Sequence, residues 1–135
     1  MMKQFNRSLV LILVLAVITL NSCGGQTSEE GEYSKVSPER FKELVNDGEV
    51  QLVDVRTMEE YRNGHIKGAI LADYLSGEFS DYKPKLNKAK TVYVYCAVGG
   101  RSKRAAEDLE RSGYTVVELE GGIRNWNSKG FELEK

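Results

Sequence analysis

The residues best suited to chemistry lie in the segment VYVYCAVGGRSKR, residues 92–104. Cys96 ends a run of β-branched and aromatic residues, Gly99 and Gly100 follow it, and a stretch with helical spacing begins at Arg101. The thiolate is the nucleophilic form of cysteine, and the unpaired N–H groups at a helix N-terminus stabilise an anion that lies in front of them. The segment therefore predicts a cysteine nucleophile in an anion-binding loop.

The composition of the loop supports this interpretation. Glycines allow the backbone to curl so that its N–H groups point inward, and Arg101 adds a permanent charge with fork-shaped donors. Such a loop could hold a thiolate, a persulfide or a bound oxyanion. Two simpler alternatives remain: a cysteine that only packs as a small hydrophobe, and a glycine turn that only joins a strand to a helix. The residues of the predicted anion-binding loop are Ala97, Val98, Gly99, Gly100, Arg101 and Ser102.

The spacing from the cysteine to the arginine distinguishes two chemistries. Cysteine phosphatases place their arginine one residue further along, where this chain has Ser102. Only the residues from Ala97 to Gly100 separate Cys96 from Arg101, and this shorter loop suits a terminal sulfur better than a phosphate ester. The loop also offers no general acid. The spacing favours sulfur chemistry, and a phosphatase or arsenate-reductase-like activity is the alternative.

Alternating strands and helices must position the loop. Ser37 and Pro38 predict the start of a helix, and Thr91–Tyr95 is the clearest strand because it is β-branched and aromatic. Residues 72–90 are ambiguous, with Tyr74, Phe79 and Tyr82 as expected buried anchors. The order predicts an α/β fold with a mainly parallel, twisted sheet of about five short strands flanked by helices. The other predicted elements are strands at Gln51–Val55, Ala69–Leu71 and Thr115–Leu119, and helices at Thr57–Tyr61, Arg101–Ser112 and from Gly121 through Trp126.

Two of the predicted strands end in polar or reactive residues. Asp54 and Arg56 lie at the end of one strand and Cys96 at the end of another, and parallel sheets carry their sites at the carboxyl ends of strands. Asp54 and Arg56 are interpreted as residues that support the loop rather than as catalytic groups. Arg56 is expected to pair with Glu59 or Glu60.

The N-terminal segment has a different pattern. Lys3 and Arg7 precede an apolar run, Leu9–Leu20, which is shorter than the roughly 20 residues of a membrane-spanning helix. We predict a lipoprotein signal peptide over residues 1–22, a lipidated Cys23 with a flexible tether over residues 23–33, and a folded domain over residues 34–135. The alternatives are an ordinary signal peptide and an uncleaved short anchor. The protein is thus expected to be exported, tethered to a membrane and facing the periplasm.

Charge and cysteine count narrow the range of partners. The chain has 19 Lys and Arg residues against 20 Asp and Glu residues, and the two signs are interleaved, which argues against nucleic-acid binding. The folded part has about a hundred residues, which predicts one domain, expected as a monomer. With lipid on Cys23, Cys96 would be the only free thiol, and no intramolecular disulfide could form.

The motifs, taken in order, resemble the rhodanese-like family of sulfurtransferases. The resemblance runs from about Ser37 to Phe131 and includes LVDVR and EY, then GHIKGAI, the loop CAVGGRS, and GGI followed by Trp126. Lys67 departs from the proline that is common in the family, at a loop position. The length of the Cys96 loop is that of the family's sulfurtransferases.

The resemblance implies a role for each site residue. Cys96 would accept sulfane sulfur, carry it as a persulfide and pass it to a thiol or another thiophilic acceptor. Arg101 and the N–H groups of the loop would stabilise the anionic sulfur, and a small sulfur-containing anion such as thiosulfate would be the donor. No metal or organic cofactor is implied. The alternative is a non-catalytic module that binds sulfur or regulates a protein partner.

Three further residues carry less weight as site residues. His65 is the only histidine, and its Gly-His-Ile-Lys-Gly setting indicates a structural turn rather than a base for Cys96. Lys103 and Arg104 could attract an anionic donor, although residues on a helix surface commonly only meet solvent.

Overall fold

The computed structural model describes residues 31–135, so the predicted signal peptide and Cys23 lie outside the described residues. In this part of the chain, no helix is long and apolar enough to cross a membrane. The elements there follow in this order: β1 Glu32–Val36, α1 Pro38–Val45, β2 Gln51–Asp54, α2 Met58–Arg62, β3 Ile70–Leu71, α3 Glu78–Tyr82, a 3₁₀ turn Lys83–Lys85, β4 Val92–Tyr95, α4 Gly100–Arg111, β5 Thr115–Leu119 and α5 Gly122–Ser128.

The strands form one parallel sheet in the order β1-β5-β4-β2-β3. Side chains alternate between the two faces of a strand, and both faces of β4 are covered. Val92 and Val94 join a core cluster on one face with residues of α4, whereas Tyr95 joins a second cluster with Phe41 of α1. A sheet that is buried on both faces is typical of parallel α/β proteins. The predicted fold class is confirmed.

The first two helices begin where their caps predict. Ser37 accepts a hydrogen bond from the Arg40 N–H, and Pro38 is the first residue of α1. Thr57 and Glu60 form a capping box at the start of α2, in which each side chain bonds the other residue's backbone N–H. The capping box fixes Glu60 in the first turn of α2, from which its carboxylate also reaches α4.

Two segments differ from the sequence prediction or extend it. The flexible tether is predicted through Tyr33, but β1 begins at Glu32 and pairs with β5 along its whole length. β1 is an edge strand with mostly exposed side chains, so it has no apolar run that would identify it. Residues 72–90 form α3 and the 3₁₀ turn around a buried Phe79, and Tyr74 and Tyr82 are partly buried against the same cluster.

Candidate active site

Cys96 lies directly after β4, where the chain turns into α4, and its side chain is only 1% exposed. The Gly99 N–H donates to the Cys96 Sγ at 3.1 Å, and the Ser102 Oγ lies 3.3 Å from the same sulfur. Gly99 has a φ of +113°, which a residue with a Cβ rarely adopts, whereas Gly100 is simply the first residue of α4. The sharp turn at Gly99 therefore brings donors of the loop onto the sulfur.

The ionisation of Cys96 depends on two opposing effects. Burial raises the pKa of Cys96, because a thiolate is poorly solvated in the interior. Hydrogen bonds from the Ser102 side chain and from the N–H groups of Ser102, Gly99 and Val98 outweigh burial, so that the pKa of Cys96 lies below its ordinary value. The loop thus favours an anionic sulfur in spite of its burial.

Arg101 is held by Glu60 rather than by the sulfur. Its Nη1 and Nη2 donate to the two carboxylate oxygens of Glu60 at 2.7 and 2.8 Å, and Glu60 also accepts from Thr57 in the capping box. The hydrogen bonds from Arg101 lower the pKa of Glu60 to about 2. The hydrogen bonds to Glu60 are the main cause of a raised pKa of Arg101, and the charge of Cys96 adds a smaller effect in the same direction. The bidentate pair fixes Arg101 beside the loop.

Asp54 and Arg56 form a buried ion pair at the end of β2. Arg56 Nε and Nη2 donate to Asp54 at 2.9 and 2.6 Å, and Nη2 also donates to the Gly64 carbonyl at 2.8 Å. The prediction that Arg56 pairs with Glu59 or Glu60 is therefore wrong. Asp54 is fully buried and requires a counter-charge, whereas Glu60 is already engaged by Thr57 and Arg101. The pair joins β2 to the turn at Gly64, which is a supporting role.

The first residues of α5 pack against the backbone of the active loop. The N–H groups of Ile123 and Arg124 donate to the carbonyl oxygens of Cys96 and Ala97 at 2.8 and 3.1 Å. Gly122 lies so close to the loop that a Cβ there would be 2.4 Å from the Cys96 carbonyl oxygen. Trp126 of the same helix is buried in the core and contacts Phe41 edge to face. The Gly-Gly-Ile motif therefore anchors the backbone of Cys96.

Glu118 is the site residue that sequence reasoning missed. It lies in β5 with no exposed surface, and its Oε1 is 2.6 Å from the Ser102 Oγ. Its other oxygen accepts from the Tyr33 hydroxyl and lies 3.3 Å from the Lys35 Nζ. The sequence did contain a signal for it. Glu118 lies two residues after the apolar Val116 in a strand, so both side chains point to the same buried face of the sheet.

A shallow cleft adjoins the loop. Val98, half exposed at 53%, borders this cleft of about 310 Å³ together with Gly121, Arg124, Asn125 and Ser128. Arg124 is exposed and was not singled out by the sequence, although it places a cation beside Val98. The cleft is open and polar enough to admit a small anion.

The remaining candidates lie elsewhere. Lys103 is exposed and lies 3.8 Å from Glu107, one helical turn away on α4. His65 stacks on Tyr61, and its Nε2 lies 4.0 Å from a carboxylate oxygen of Glu134. The contact of Lys103 lies on the surface of α4, and the contacts of His65 lie at the turn that follows Gly64. Within residues 31–135, no group of three or more His, Cys, Asp or Glu side chains is placed to hold a metal ion.

Known proteins resemble this chain in sequence and fold. The family model described as "Rhodanese-like domain" matches residues 37–129. A putative sulfur carrier protein of Bacillus subtilis is 34% identical over 110 residues, which are 78% of this chain and 58% of that protein. A thiosulfate sulfurtransferase of Coxiella burnetii is 33% identical over 98 residues, covering 71% of this chain and 89% of that protein.

A solved structure gives the same result for the fold. The crystal structure of a rhodanese-related protein from Thermoplasma volcanium has a TM-score of 0.69 at 28% identity. The alignment covers 76% of this chain and 98% of that chain. The chain thus spans nearly the whole of this structure, but little more than half the length of the sulfur carrier protein.

Proposed function

The chain belongs to the rhodanese-like domain family, and from this premise we propose that it is a sulfurtransferase that carries sulfane sulfur from thiosulfate to a thiophilic acceptor as a persulfide on Cys96. The family supports sulfurtransferase-type activity in general. The choice of thiosulfate draws on the named activity of the Coxiella burnetii relative.

One observation carries the proposal: the buried Cys96 Sγ receives the Gly99 N–H at 3.1 Å at the mouth of α4. A buried cysteine that only packs needs no donors, and burial alone raises its pKa. Here the loop donors reverse that effect and lower the pKa of Cys96. A sulfur that ionises inside a ring of N–H groups is suited to nucleophilic attack and to holding a persulfide anion.

The geometry supports two displacement steps. In the first, the Cys96 thiolate attacks the outer sulfur of thiosulfate, the S–S bond of thiosulfate breaks, and sulfite leaves with the bonding electron pair. The negative charge then lies on the terminal sulfur of the new persulfide. In the second, an acceptor attacks that terminal sulfur, and Cys96 leaves as the thiolate. Neither step needs a cofactor, because electrons move only between the donor, Cys96 and the acceptor.

The surroundings of Cys96 fit anionic reactants. The N–H groups of Val98, Gly99 and Ser102 lower the pKa of the sulfur. Arg101 is held beside the loop by Glu60, which is the main cause of its raised pKa, and the charge of Cys96 adds to that shift. Arg124 adds an exposed cation at the cleft beside Val98. We assign this cleft as the approach for thiosulfate, because a dianion is attracted to a cationic opening.

The experiment is a sulfur-transfer assay with thiosulfate as donor and cyanide as acceptor. We expect thiocyanate from the wild type and from Cys23→Ser, and none above background from Cys96→Ser. Intact mass after exposure to thiosulfate should show one added sulfur atom, which is lost in Cys96→Ser. A mass gain without turnover across several acceptors would favour the non-catalytic sulfur-binding module, and equal rates in wild type and Cys96→Ser would refute the proposal.

We also propose that lipid on Cys23 tethers the domain to a membrane on the exported side. The support is the sequence pattern of Lys3, Arg7 and the apolar run Leu9–Leu20 that ends shortly before Cys23. β1 begins at Glu32, which leaves only a short connecting segment after Cys23. Such a tether would keep the domain close to the membrane surface.

A further inference from the structure

The chain enters the folded domain at the edge of the sheet opposite to Cys96. All strands are parallel, β1 begins at Glu32, and Cys96 directly follows the last residue of β4. We call the edge at which the strands begin the amino edge. β4 has four residues and β5 has five, which at about 3.3 Å each put the two edges about 13–17 Å apart. The segment that connects Cys23 to β1 therefore approaches the side of the domain that lies away from the active loop.

Positive charge is concentrated at the amino edge. The lysine segment, residues 83–90 with the sequence KPKLNKAK, precedes β4 and carries four lysines and no acid, although the two signs are interleaved over the chain as a whole. Lys83 is paired with Asp108 at 3.1 Å. The other three lysines are exposed, and among the described residues no carboxylate oxygen lies within 4.0 Å of their Nζ atoms: Lys85, Lys88 and Lys90.

Tyr114 joins the lysine segment to the point at which the chain enters the domain. Its hydroxyl donates to the Lys83 carbonyl oxygen at 2.9 Å, and the Lys88 Nζ lies 5.3 Å from the centroid of its ring. The Glu32 N–H donates to the Tyr114 carbonyl oxygen at 3.2 Å, and a Cβ at Gly31 would lie 2.5 Å from the same oxygen. The lysine segment and the start of the folded domain are therefore neighbours.

Gln51 holds the end of the lysine segment in place. Its Nε2 donates to the carbonyl oxygens of Asn87 and Lys90 at 3.0 and 3.2 Å, and its Oε1 accepts from the Asn87 N–H at 2.6 Å. Leu86, buried in the core, anchors the middle of the segment. The lysines are thus carried on a fixed turn, so that their charges act together on whatever faces this edge.

We propose that the lysine segment binds the anionic headgroups of the membrane to which the chain is tethered, and that this contact turns Cys96 toward the aqueous side. Residues 24–31 span at most about 3.3–3.6 Å each, which keeps the amino edge within about 30 Å of the anchored end. A lysine close to an anionic membrane surface strengthens binding by about fivefold. The inference rests on the proposed tether at Cys23 and goes beyond the proposed sulfur transfer.

The proposed orientation suits an anionic sulfur donor. At physiological ionic strength the Debye length is about 8 Å, which is shorter than the distance between the two edges of the sheet. With the amino edge on the headgroups, the active loop lies beyond most of the negative surface potential, and thiosulfate is not repelled from it. The carboxyl edge also carries exposed cations, Lys103, Arg104 and Arg124, but it lies away from the point at which the tether enters.

The test measures the rate at which each lysine is acetylated on vesicles, read by mass spectrometry. The chain has two cysteines, so the full chain with Cys96→Ser can be coupled through Cys23 to a maleimide lipid, which supplies the tether whether or not the cell adds lipid there. Vesicles of phosphatidylcholine alone are compared with vesicles that also contain phosphatidylglycerol. On the anionic vesicles we expect about fivefold slower acetylation or more at Lys85, Lys88 and Lys90, and an unchanged rate at Lys103. Salt at about 1 M, where the Debye length is about 3 Å, should remove the difference.

Paired substitutions identify the charges that are responsible. Lys88→Gln together with Lys90→Gln should return Lys85 to the acetylation rate that it has on neutral vesicles. The matched control is Lys103→Gln together with Arg104→Gln, which removes an equal charge from the start of α4 at the carboxyl edge. In the control, Lys85 should remain protected on the anionic vesicles.

Three results would overturn the proposal. The first is an equal rate at the lysine segment on both kinds of vesicle, which would also be found if Glu29 and Glu30 of the connecting segment covered the lysines. The second is slower acetylation of Lys103 with no change at Lys85, which would mean that the carboxyl edge faces the membrane. The third is protection of Lys85 that survives the loss of Lys88 and Lys90. Because the tether is supplied chemically and no sulfur is transferred, a failure of lipidation or of sulfur transfer would refute those proposals and leave this result standing.

Discussion

Replacing Gly122 with alanine should lower both the stability of the fold and the rate of sulfur transfer. The loss should exceed the cost of placing a Cβ in a left-handed backbone conformation. A Cβ at Gly122 would lie 2.4 Å from the Cys96 carbonyl oxygen and 2.6 Å from the carbonyl carbon of Ala97. These are backbone atoms, so no side-chain rotation relieves the overlap. Ordinary contact begins at 3.4 Å, so α5 and the loop must separate by about 1 Å. That separation would stretch the hydrogen bond from the Ile123 N–H to the Cys96 carbonyl oxygen.

The expected loss of stability has two parts. The φ of Gly122 is +61°, and a residue with a Cβ loses about 1–2 kcal/mol in this left-handed conformation. Overpacking against the loop adds about 1–3 kcal/mol, so the free energy of unfolding should fall by about 2–5 kcal/mol. Gly130→Ala is the matched control, because Gly130 has a similar φ of +72° with nothing within 4 Å of the added Cβ. The free energy of unfolding of Gly130→Ala should fall only by the about 1–2 kcal/mol that the left-handed conformation costs.

Urea unfolding and the thiosulfate–cyanide assay measure the two consequences. A displacement of the reacting sulfur by about 1 Å costs on the order of 100-fold in rate, so Gly122→Ala should lose turnover even where it is fully folded. Gly130→Ala should keep the wild-type rate. If the two variants are equally stable and equally active, the close approach of Gly122 to Cys96 does not hold the loop, and the reasoning is refuted.

Three further predictions concern the ion pairs and the tether. Asp54→Asn should lower the free energy of unfolding by about 3–5 kcal/mol, because it leaves the buried Arg56 without a counter-charge, while the KM for thiosulfate of the folded protein stays unchanged. Glu60, with its pKa lowered from 4.5 to about 2 chiefly by Arg101, stabilises the fold above pH 4.5 and loses this effect as the pH falls toward 2. Above pH 4.5, wild type should exceed Glu60→Gln in unfolding free energy by less than about 1 kcal/mol, since the pair is partly exposed. This difference should shrink to zero as the pH falls toward 2, and a difference that stays constant would contradict the prediction. Cys23→Ser should move the protein from the membrane fraction to the soluble fraction and remove lipid mass from its N-terminal peptide, with sulfur transfer unchanged.

The sequence predicted those features whose determinants lie close together along the chain. Ser37 and Pro38 specify the start of α1 by themselves, and the run before Cys96 specifies β4 by its β-branched and aromatic residues. The turn at Gly99 is local in the same sense, because one glycine and the helix that follows supply its donors. The parallel order of strands and helices then required only the alternation of these elements.

The features that escaped prediction depend on residues far apart in the chain. Arg101 and Glu60 are 41 residues apart. Asp54 is only two residues from Arg56, but the pairing still depends on the fold, which buries Asp54 and engages Glu60 with the distant Arg101. Glu118 reaches Ser102 only because β5 lies beside β4. β1 escaped because an exposed edge strand draws its stability from pairing with β5 and carries no apolar run of its own.

The pairing of β1 with β5 also determines when β1 can join the sheet during synthesis of the chain. Tyr33 and Glu118 are 85 residues apart, so β1 must wait for almost the entire domain before its partner strand exists. At synthesis rates of about 5–20 residues per second, that interval is about 4–17 s. During it, Cys96 would already have been made, but the carboxylate behind it would still be lacking. The sulfur therefore acquires its full set of neighbours only after β5 has been synthesised.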